Sequence, residues 1–312
     1  MKIQKFLAVS LLSIASVASM AATQSFQQEI NNTVSSTRDY FSSKINVNYS
    51  ESNHFYAEAE HQDKSCKVNI GFNKNGDVET LSMNKEFAEL TKLLNPKQLS
   101  IERELVLLHE MSHCQFYEVK DQIEIPGQSK KFNETFNYIV KSLGDRYYKA
   151  DNGFDTEAPN YHKTLNETYA DTSAMIILLK KYETKENLAK GEINNPDLVD
   201  VINSFKTQRE ISALEYRLQN VKKHNILFDV HNTYHTFELL LTKDNLKKIN
   251  EIKSHEALQD FALNIANKAT FETFLNTPKV FQKTFSNNAI DEKLESHYKG
   301  YEDFFFVKTN HE

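Results

Sequence analysis

The segment LVLLHEMSHCQF, residues 105–116, places two histidines and a glutamate inside an apolar stretch. The apolar pattern predicts a buried helix, and polar side chains on such a helix need partners that satisfy them. His109 and His113 are four residues apart, so both rings project from one helical face about one turn apart. Two imidazoles at this spacing can bind one zinc ion, with Glu110 close enough to activate a water molecule. The alternative is a structural pair of core histidines.

A hydrolytic zinc site needs a third protein ligand and one open position. The chain has no H-x-x-G-x-x-H continuation, which excludes the metzincin type. YHKTLNETYADTSAMIILL, residues 161–179, predicts a second helix on which Glu167 and Asp171 share a face. Glu167 can ligate the metal, and Asp171 can accept a hydrogen bond from a metal-binding histidine. The alternative, a solvated acidic face, is disfavoured by the apolar run that follows.

HEMSH followed by NETYAD resembles the gluzincin metallopeptidases of the thermolysin-like kind, whose second motif has an Asn-Glu pair and an acid four residues after the Glu. The resemblance implies a zincin-like fold and the hydrolysis of peptide bonds. By position, it implies the following roles: His109, His113 and Glu167 as zinc ligands, Glu110 as general base and Asp171 as the acid behind a ligand histidine. It covers these two helices. The 54 residues from His113 to Glu167 exceed the gap in thermolysin, so residues 118–160 are expected to form an insertion near the site.

The stretch DVHNTYHTFELLL, residues 229–241, is the best source of a donor for the oxyanion that forms when water attacks. It loosely resembles the segment on which thermolysin-like enzymes carry a transition-state histidine. We predict His231 in this role, oriented by Asp229, with Tyr234 as a further donor. His235 in place of His231 is one alternative, and a histidine-rich helix start without catalytic function is another.

Residues 1–21 have the features of a secretory signal peptide: two lysines, an apolar core to about Val17, and small residues before an expected cleavage after Ala21. The protein is therefore expected to be exported, either to the periplasm or out of the cell. A membrane anchor is the alternative, but the apolar run is short and broken by serines. After cleavage, no further segment is long and apolar enough to span a bilayer.

The two cysteines of the chain, Cys66 and Cys114, predict one disulfide if the protein is exported. This disulfide would join the motif helix to an N-terminal strand. Two buried free thiols are one alternative. A third interpretation makes Cys114 a metal ligand, but adjacent helix residues point about 100° apart, so Cys114 and His113 do not converge easily.

The charge balance disfavours a nucleic-acid partner. Removing residues 1–21 changes the formal net charge from −6 to about −8, whereas phosphate binding needs a basic surface. The sequence also contains no P-loop, no G-x-G-x-x-G and no G-x-S-x-G motif. The zinc motif instead favours a peptide or protein as the substrate.

The patterning predicts an α+β fold with a small N-terminal antiparallel sheet and the motif helix, followed by a mostly helical half. INVNYS, HFYAEAEH and CKVNIGFN alternate polar and apolar residues, as strands do, and DVETLSM is a further candidate strand. Ser100 is expected to cap a motif helix that ends near Tyr117. We expect an N-terminal lobe over 22–150 and a helical lobe over 151–312. Helical patterns occupy 131–147, 197–222, 233–242, 244–253, 256–269 and 271–283.

The sequence as a whole predicts an exported zinc metallopeptidase with one zinc ion per chain. Three alternatives differ in kind. The same fold can act as a non-catalytic, zinc-containing binding or assembly module. The motif can be a coincidence in a structural protein whose charged helices form an assembly surface. A zinc hydrolase acting on a cell-wall amide is a variant of the main hypothesis.

Overall fold

The computed structural model describes residues 27–41, 45–51, 56–62, 65–72, 93–119, 157–222 and 233–286, and these residues form a helix-rich α+β structure. A helix, α1 (27–37), precedes a 3-10 turn at Arg38–Tyr40. The strands are β1 (Ile45–Glu51), β2 (Tyr56–Gln62) and β3 (Ser65–Phe72). The later helices are α2 (Pro96–Val119), α3 (Glu157–Tyr182), α4 (Lys185–Lys190), α5 (Pro196–Lys222), α6 (Tyr234–Leu240), α7 (Lys243–Glu251) and α8 (His255–Ser286).

The three strands were predicted correctly, but the antiparallel sheet was wrong: the sheet is mixed, in the order β1-β3-β2. β1 runs parallel to β3, with Ile45 opposite Cys66, and β2 runs antiparallel to β3, with Ala59 opposite Val68. The alternating pattern determines which face of a strand is buried, and it carries no information about which strand is its neighbour. The buried side chains of Val68 and Ile70 contribute to the core.

The helix with the two histidines begins earlier than expected, and Ser100 is not its cap. Asn95 caps it: its Oδ1 accepts the N–H of Gln98 at 3.0 Å, and Gln98 Oε1 accepts the N–H of Asn95 at 2.9 Å. Pro96 occupies the first helical position, where its missing N–H leaves no hydrogen bond unmade. Ser100 lies in the second turn and instead donates to Glu29 of α1. The proline thus starts this helix.

Helix α3 is the centre of the helical half, because it packs against α2 and also against α8. Its segment Met175–Leu179 is fully buried, as the apolar run in the sequence predicted. The patterns at 256–269 and 271–283 belong to a single helix, α8, rather than to two. In the described ranges, no helix is long and apolar enough to cross a membrane.

Several predictions concern parts of the chain that lie outside the described residues. These are the signal peptide at 1–21, the candidate strand DVETLSM, the helical segment at 131–147, the boundary near residue 150 and most of the insertion expected at 118–160.

The predicted disulfide between Cys66 and Cys114 is present and joins β3 to α2. The two Cα atoms are 5.6 Å apart, which is typical of a disulfide. Both residues are buried, and both alternatives, free thiols and a cysteine metal ligand, are therefore wrong. The bridge attaches the sheet to α2 one residue beyond His113.

Replacing both cysteines by serine is expected to lower the free energy of unfolding by about 2–4 kcal/mol. The bridge closes a loop with a sequence separation of 48, so its loss gives the unfolded chain more freedom. Urea unfolding of the wild type and of the double variant, each with and without reductant, measures the difference. Equal midpoints for the oxidised wild type and the variant would contradict this expectation.

Candidate metal centre

The side chains of His109, His113 and Glu167 converge on one point between α2 and α3. Their ligand atoms all lie within 4.8 Å of one another. The two histidine Nε2 atoms are 2.9 Å apart, and the Glu167 carboxylate oxygens lie 3.5 Å from His109 Nε2 and 3.7 Å from His113 Nε2. Ligand atoms about 2.0–2.1 Å from one tetrahedral zinc ion are about 3.3 Å apart. The three residues therefore fit the group that the sequence predicted.

The second nitrogen of each imidazole is held by an oxygen of α3. His113 Nδ1 lies 2.9 Å from Asn166 Oδ1, and His109 Nδ1 lies 2.6 Å from Asp171 Oδ1. An acceptor at Nδ1 keeps the proton on that nitrogen, which leaves the Nε2 lone pair for a metal. Asp171 thus has the contact predicted for it. Asn166 is the first residue of the NETYAD motif, but the sequence analysis assigned it no role.

Arg209 of α5 is a site residue that the sequence analysis missed. Its Nε donates to Asp171 Oδ2 at 2.9 Å and its Nη2 donates to Asp171 Oδ1 at 2.7 Å. Nη2 also lies 3.9 Å from Glu167 Oε2, and the guanidinium stacks 4.9 Å from the ring of Phe205. The available signal was weak: Phe205 and Arg209 are four residues apart, on one face of a helix whose sequence pattern is charged and amphipathic.

The electrostatics of the site favour positive charge between α2 and α3. Burial alone would lower the pKa of His109, but the Asp171 and Glu167 carboxylates raise it to about 10. Burial works against ionisation of Asp171 too, yet Arg209 and His109 hold its pKa at about 2. Protonated His109 and the guanidinium of Arg209 therefore both face the carboxylates of Glu110, Glu167 and Asp171. A metal cation that displaces the proton of His109 would replace the positive charge that His109 loses.

Glu110 lies beside the three candidate ligands without being one of them. Its Oε2 accepts the backbone N–H of Ala59 in β2 at 2.9 Å. Burial raises the pKa of this carboxyl, although His109 and His113 counteract the shift. A carboxylate with a raised pKa accepts a proton more readily, which suits a general base.

The segment predicted to supply the oxyanion donor is described only in part. His231 and Asp229 lie outside the described residues. Tyr234 begins α6, and its side chain is not described. His235 Nδ1 lies 2.9 Å from Glu238 Oε2 one turn along the same helix. The roles of His231 and Tyr234 therefore stay predictions.

A row of polar contacts, here named the polar seam, joins α2 to α5 and positions the helix that carries Arg209. Gln98 donates to Asp200 at 2.7 Å. One turn further, Glu102 Oε1 accepts from Gln208 and, at 3.3 Å, from Ser204. Contacts advance along both helices in the same direction, so α2 and α5 run parallel. This register brings the end of the seam to the metal centre.

Comparison with known proteins identifies no relative: no protein-family model, no curated protein and no solved structure matches the chain. The interpretation of the site therefore depends on the chemistry and geometry of its own residues.

Changing Asp171 to Asn is expected to weaken zinc binding about 10- to 100-fold, because His109 loses the charged acceptor that holds its tautomer and orientation. Zinc dissociation constants from chelator competition measure the effect, and circular dichroism checks that the variant is folded. Asp197→Asn is the matched control, since Asp197 pairs with Lys97 at 2.6 Å far from the metal residues. A folded Asp171→Asn protein with wild-type affinity would contradict the assignment.

Changing Glu102 to Gln is expected to flatten the dependence of stability on pH. Burial raises the folded-state pKa of Glu102 above its unfolded value near 4.5, and Oε2 has no hydrogen-bond partner among the described residues. A raised pKa stabilises the fold at low pH, and this stability is lost as pH rises through the folded-state pKa. The free energy of unfolding of the wild type should therefore fall relative to Glu102→Gln from about pH 4.5 upward.

Urea unfolding at several pH values gives this difference, with the exposed Glu251→Gln as control. A difference between wild type and Glu102→Gln that stays constant with pH would show that Glu102 ionises normally in the folded protein.

Proposed function

We propose that this protein is an exported zinc-dependent metallopeptidase. The observation that carries the proposal is the convergence of His109, His113 and Glu167 within 4.8 Å, with Glu110 beside them as a carboxylate that is not a ligand. This is the donor set of a hydrolytic zinc site, which has three protein ligands and keeps one coordination position open. A bound zinc ion supplies Lewis acidity, which lowers the pKa of water and polarises a carbonyl group.

The residues around the proposed metal have separate roles. Glu110 takes a proton from the attacking water and passes it to the leaving nitrogen, for which its raised pKa is suited. Asp171 and Asn166 keep the ligand histidines in one tautomer and one orientation. Arg209 compensates the charge of Asp171. His231 and Tyr234 are the proposed donors to the oxyanion.

The position of β2 favours peptides over other amides as substrates. β2 is at one edge of the three described strands and packs against α2. The Ala59 N–H donates to Glu110 and therefore points away from β3. By the alternation of a strand, the backbone groups of Ala57 and His61 point to the same outer side. An extended peptide can pair with this edge through Ala57 and His61, and also through Ala59 once Glu110 releases the Ala59 N–H.

The disulfide supports the export part of the proposal. Structural disulfides persist in oxidising compartments and are rare in the cytosol of most organisms. The Cys66–Cys114 bridge is buried, and Cys114 directly follows the candidate ligand His113 on α2. Mass spectrometry of the N-terminus of the exported protein tests the expected cleavage after Ala21.

Two variants are expected to separate zinc binding from turnover. Glu167→Ala removes a ligand, so elemental analysis should find about one zinc per wild-type chain and much less in this variant. Glu110→Gln keeps the ligands but removes the base, so it should retain zinc while cleavage of a peptide library falls by about 10²- to 10⁴-fold. Glu256→Gln, an exposed glutamate of α8, is the control for both measurements.

Each contrary result points to a different alternative. A wild type that holds no zinc after reconstitution would mean that the histidines are a structural pair. A wild type that holds zinc but cleaves no peptide would favour the non-catalytic binding module. Full turnover by Glu110→Gln would remove Glu110 from the mechanism.

A further inference from the structure

The two exposed glutamates of β2, Glu58 and Glu60, lie on one face of the sheet and differ in their neighbours. Glu58 and Glu60 alternate with the half-buried Ala57 and Ala59 along the strand. In the register with β3, Glu60 is directly opposite Lys67, whereas Glu58 is opposite Asn69. Lys67 is only a diagonal neighbour of Glu58, at about 7–8 Å between Cα atoms. The charge of Glu60 is therefore balanced across the sheet more closely than that of Glu58.

The hydrogen-bond pattern determines how Glu58 would meet a strand on the outer side of β2. The Ala59 N–H points away from β3, toward Glu110. Backbone groups alternate along a strand, so the N–H and C=O of Glu58 point toward β3. Toward an incoming antiparallel strand, Glu58 is then at a non-hydrogen-bonded position, where Cα atoms approach to about 4.5 Å. Side chains are closest at these positions, so the residue opposite Glu58 would lie against its carboxylate.

We infer that Glu58 selects substrates with a lysine or arginine opposite it, beside the bond held over Glu110. The inference rests on the proposed function, since it takes β2 as the strand that pairs with the substrate. Opposite charges on facing strand residues attract, and like charges repel. The negative net charge of the chain, −6, favours a basic substrate as well.

Peptide binding tests this inference without the need for turnover. The probes are fluorescein-labelled peptides of one extended sequence, in which each position in turn is Lys, Gln or Glu. Their affinities for the zinc-loaded Glu110→Gln protein are measured by fluorescence anisotropy. At one position, Lys should bind about two- to fivefold more tightly than Gln, and Glu should bind more weakly by a similar factor. The preference should shrink in about 0.5 M salt, because Glu58 is exposed.

Variants of the strand identify the residue responsible. Adding Glu58→Gln should abolish the preference for Lys over Glu, and adding Glu58→Lys should reverse it. Glu60→Gln is the matched control: it removes the same charge from the same face two residues away, and the preference should persist. Circular dichroism and zinc content confirm that each variant retains its fold and its metal.

The outcomes distinguish this inference from the proposed function. The inference would be overturned if the preference for Lys over Glu were the same with and without Glu58. It would also be overturned if Glu60→Gln, and not Glu58→Gln, abolished that preference. The absence of binding to any peptide would overturn it too, because β2 would then not be a substrate strand. If the basic preference depends on Glu58 but the wild type cleaves nothing, the inference stands and the proposed catalysis is wrong.

Discussion

The buried contact between His109 and Asp171 determines where three helices of this protein lie. His109 belongs to α2, Asp171 to α3, and Arg209 of α5 contacts Asp171 through two nitrogens. Buried charges are tolerated only where each has well-oriented partners. Removing one of these three side chains would therefore leave another charge buried without its partner. The packing of α2, α3 and α5 therefore depends on the same atoms that orient a candidate metal ligand.

This arrangement gives the candidate site a rigid base. The three candidate ligands come from two helices that pack directly against each other, and helices hold side chains more accurately than loops do. The disulfide at Cys114 and the polar seam around Glu102 attach α2 to β3 and to α5. Both connections are within two or three turns of His109. The sheet and α5 are thereby held in register with the site.

Much of the fold was predictable because local patterns reflect burial. The alternation in β1, β2 and β3 identified the strands, and the apolar runs identified α2 and α3. The errors came from features that local patterns do not encode. The parallel pairing of β1 with β3 depends on the order of the strands in the sheet, which is β1-β3-β2. The cap was placed at Ser100 rather than at Asn95, although a proline such as Pro96 fits the first helical turn.

By itself, the sequence determined the pairing of His109 with His113 and the shared face of Glu167 and Asp171, and it predicted the disulfide between Cys66 and Cys114. Helical spacing is a local property, so residues four apart lie on one face in any fold. Only the tertiary structure decided that these two faces meet, that Arg209 joins them across 38 residues of chain from Asp171, and that Ala59 of β2 reaches Glu110. Such contacts join distant parts of the chain, and they form where packing leaves a buried charge or an outward N–H in need of a partner.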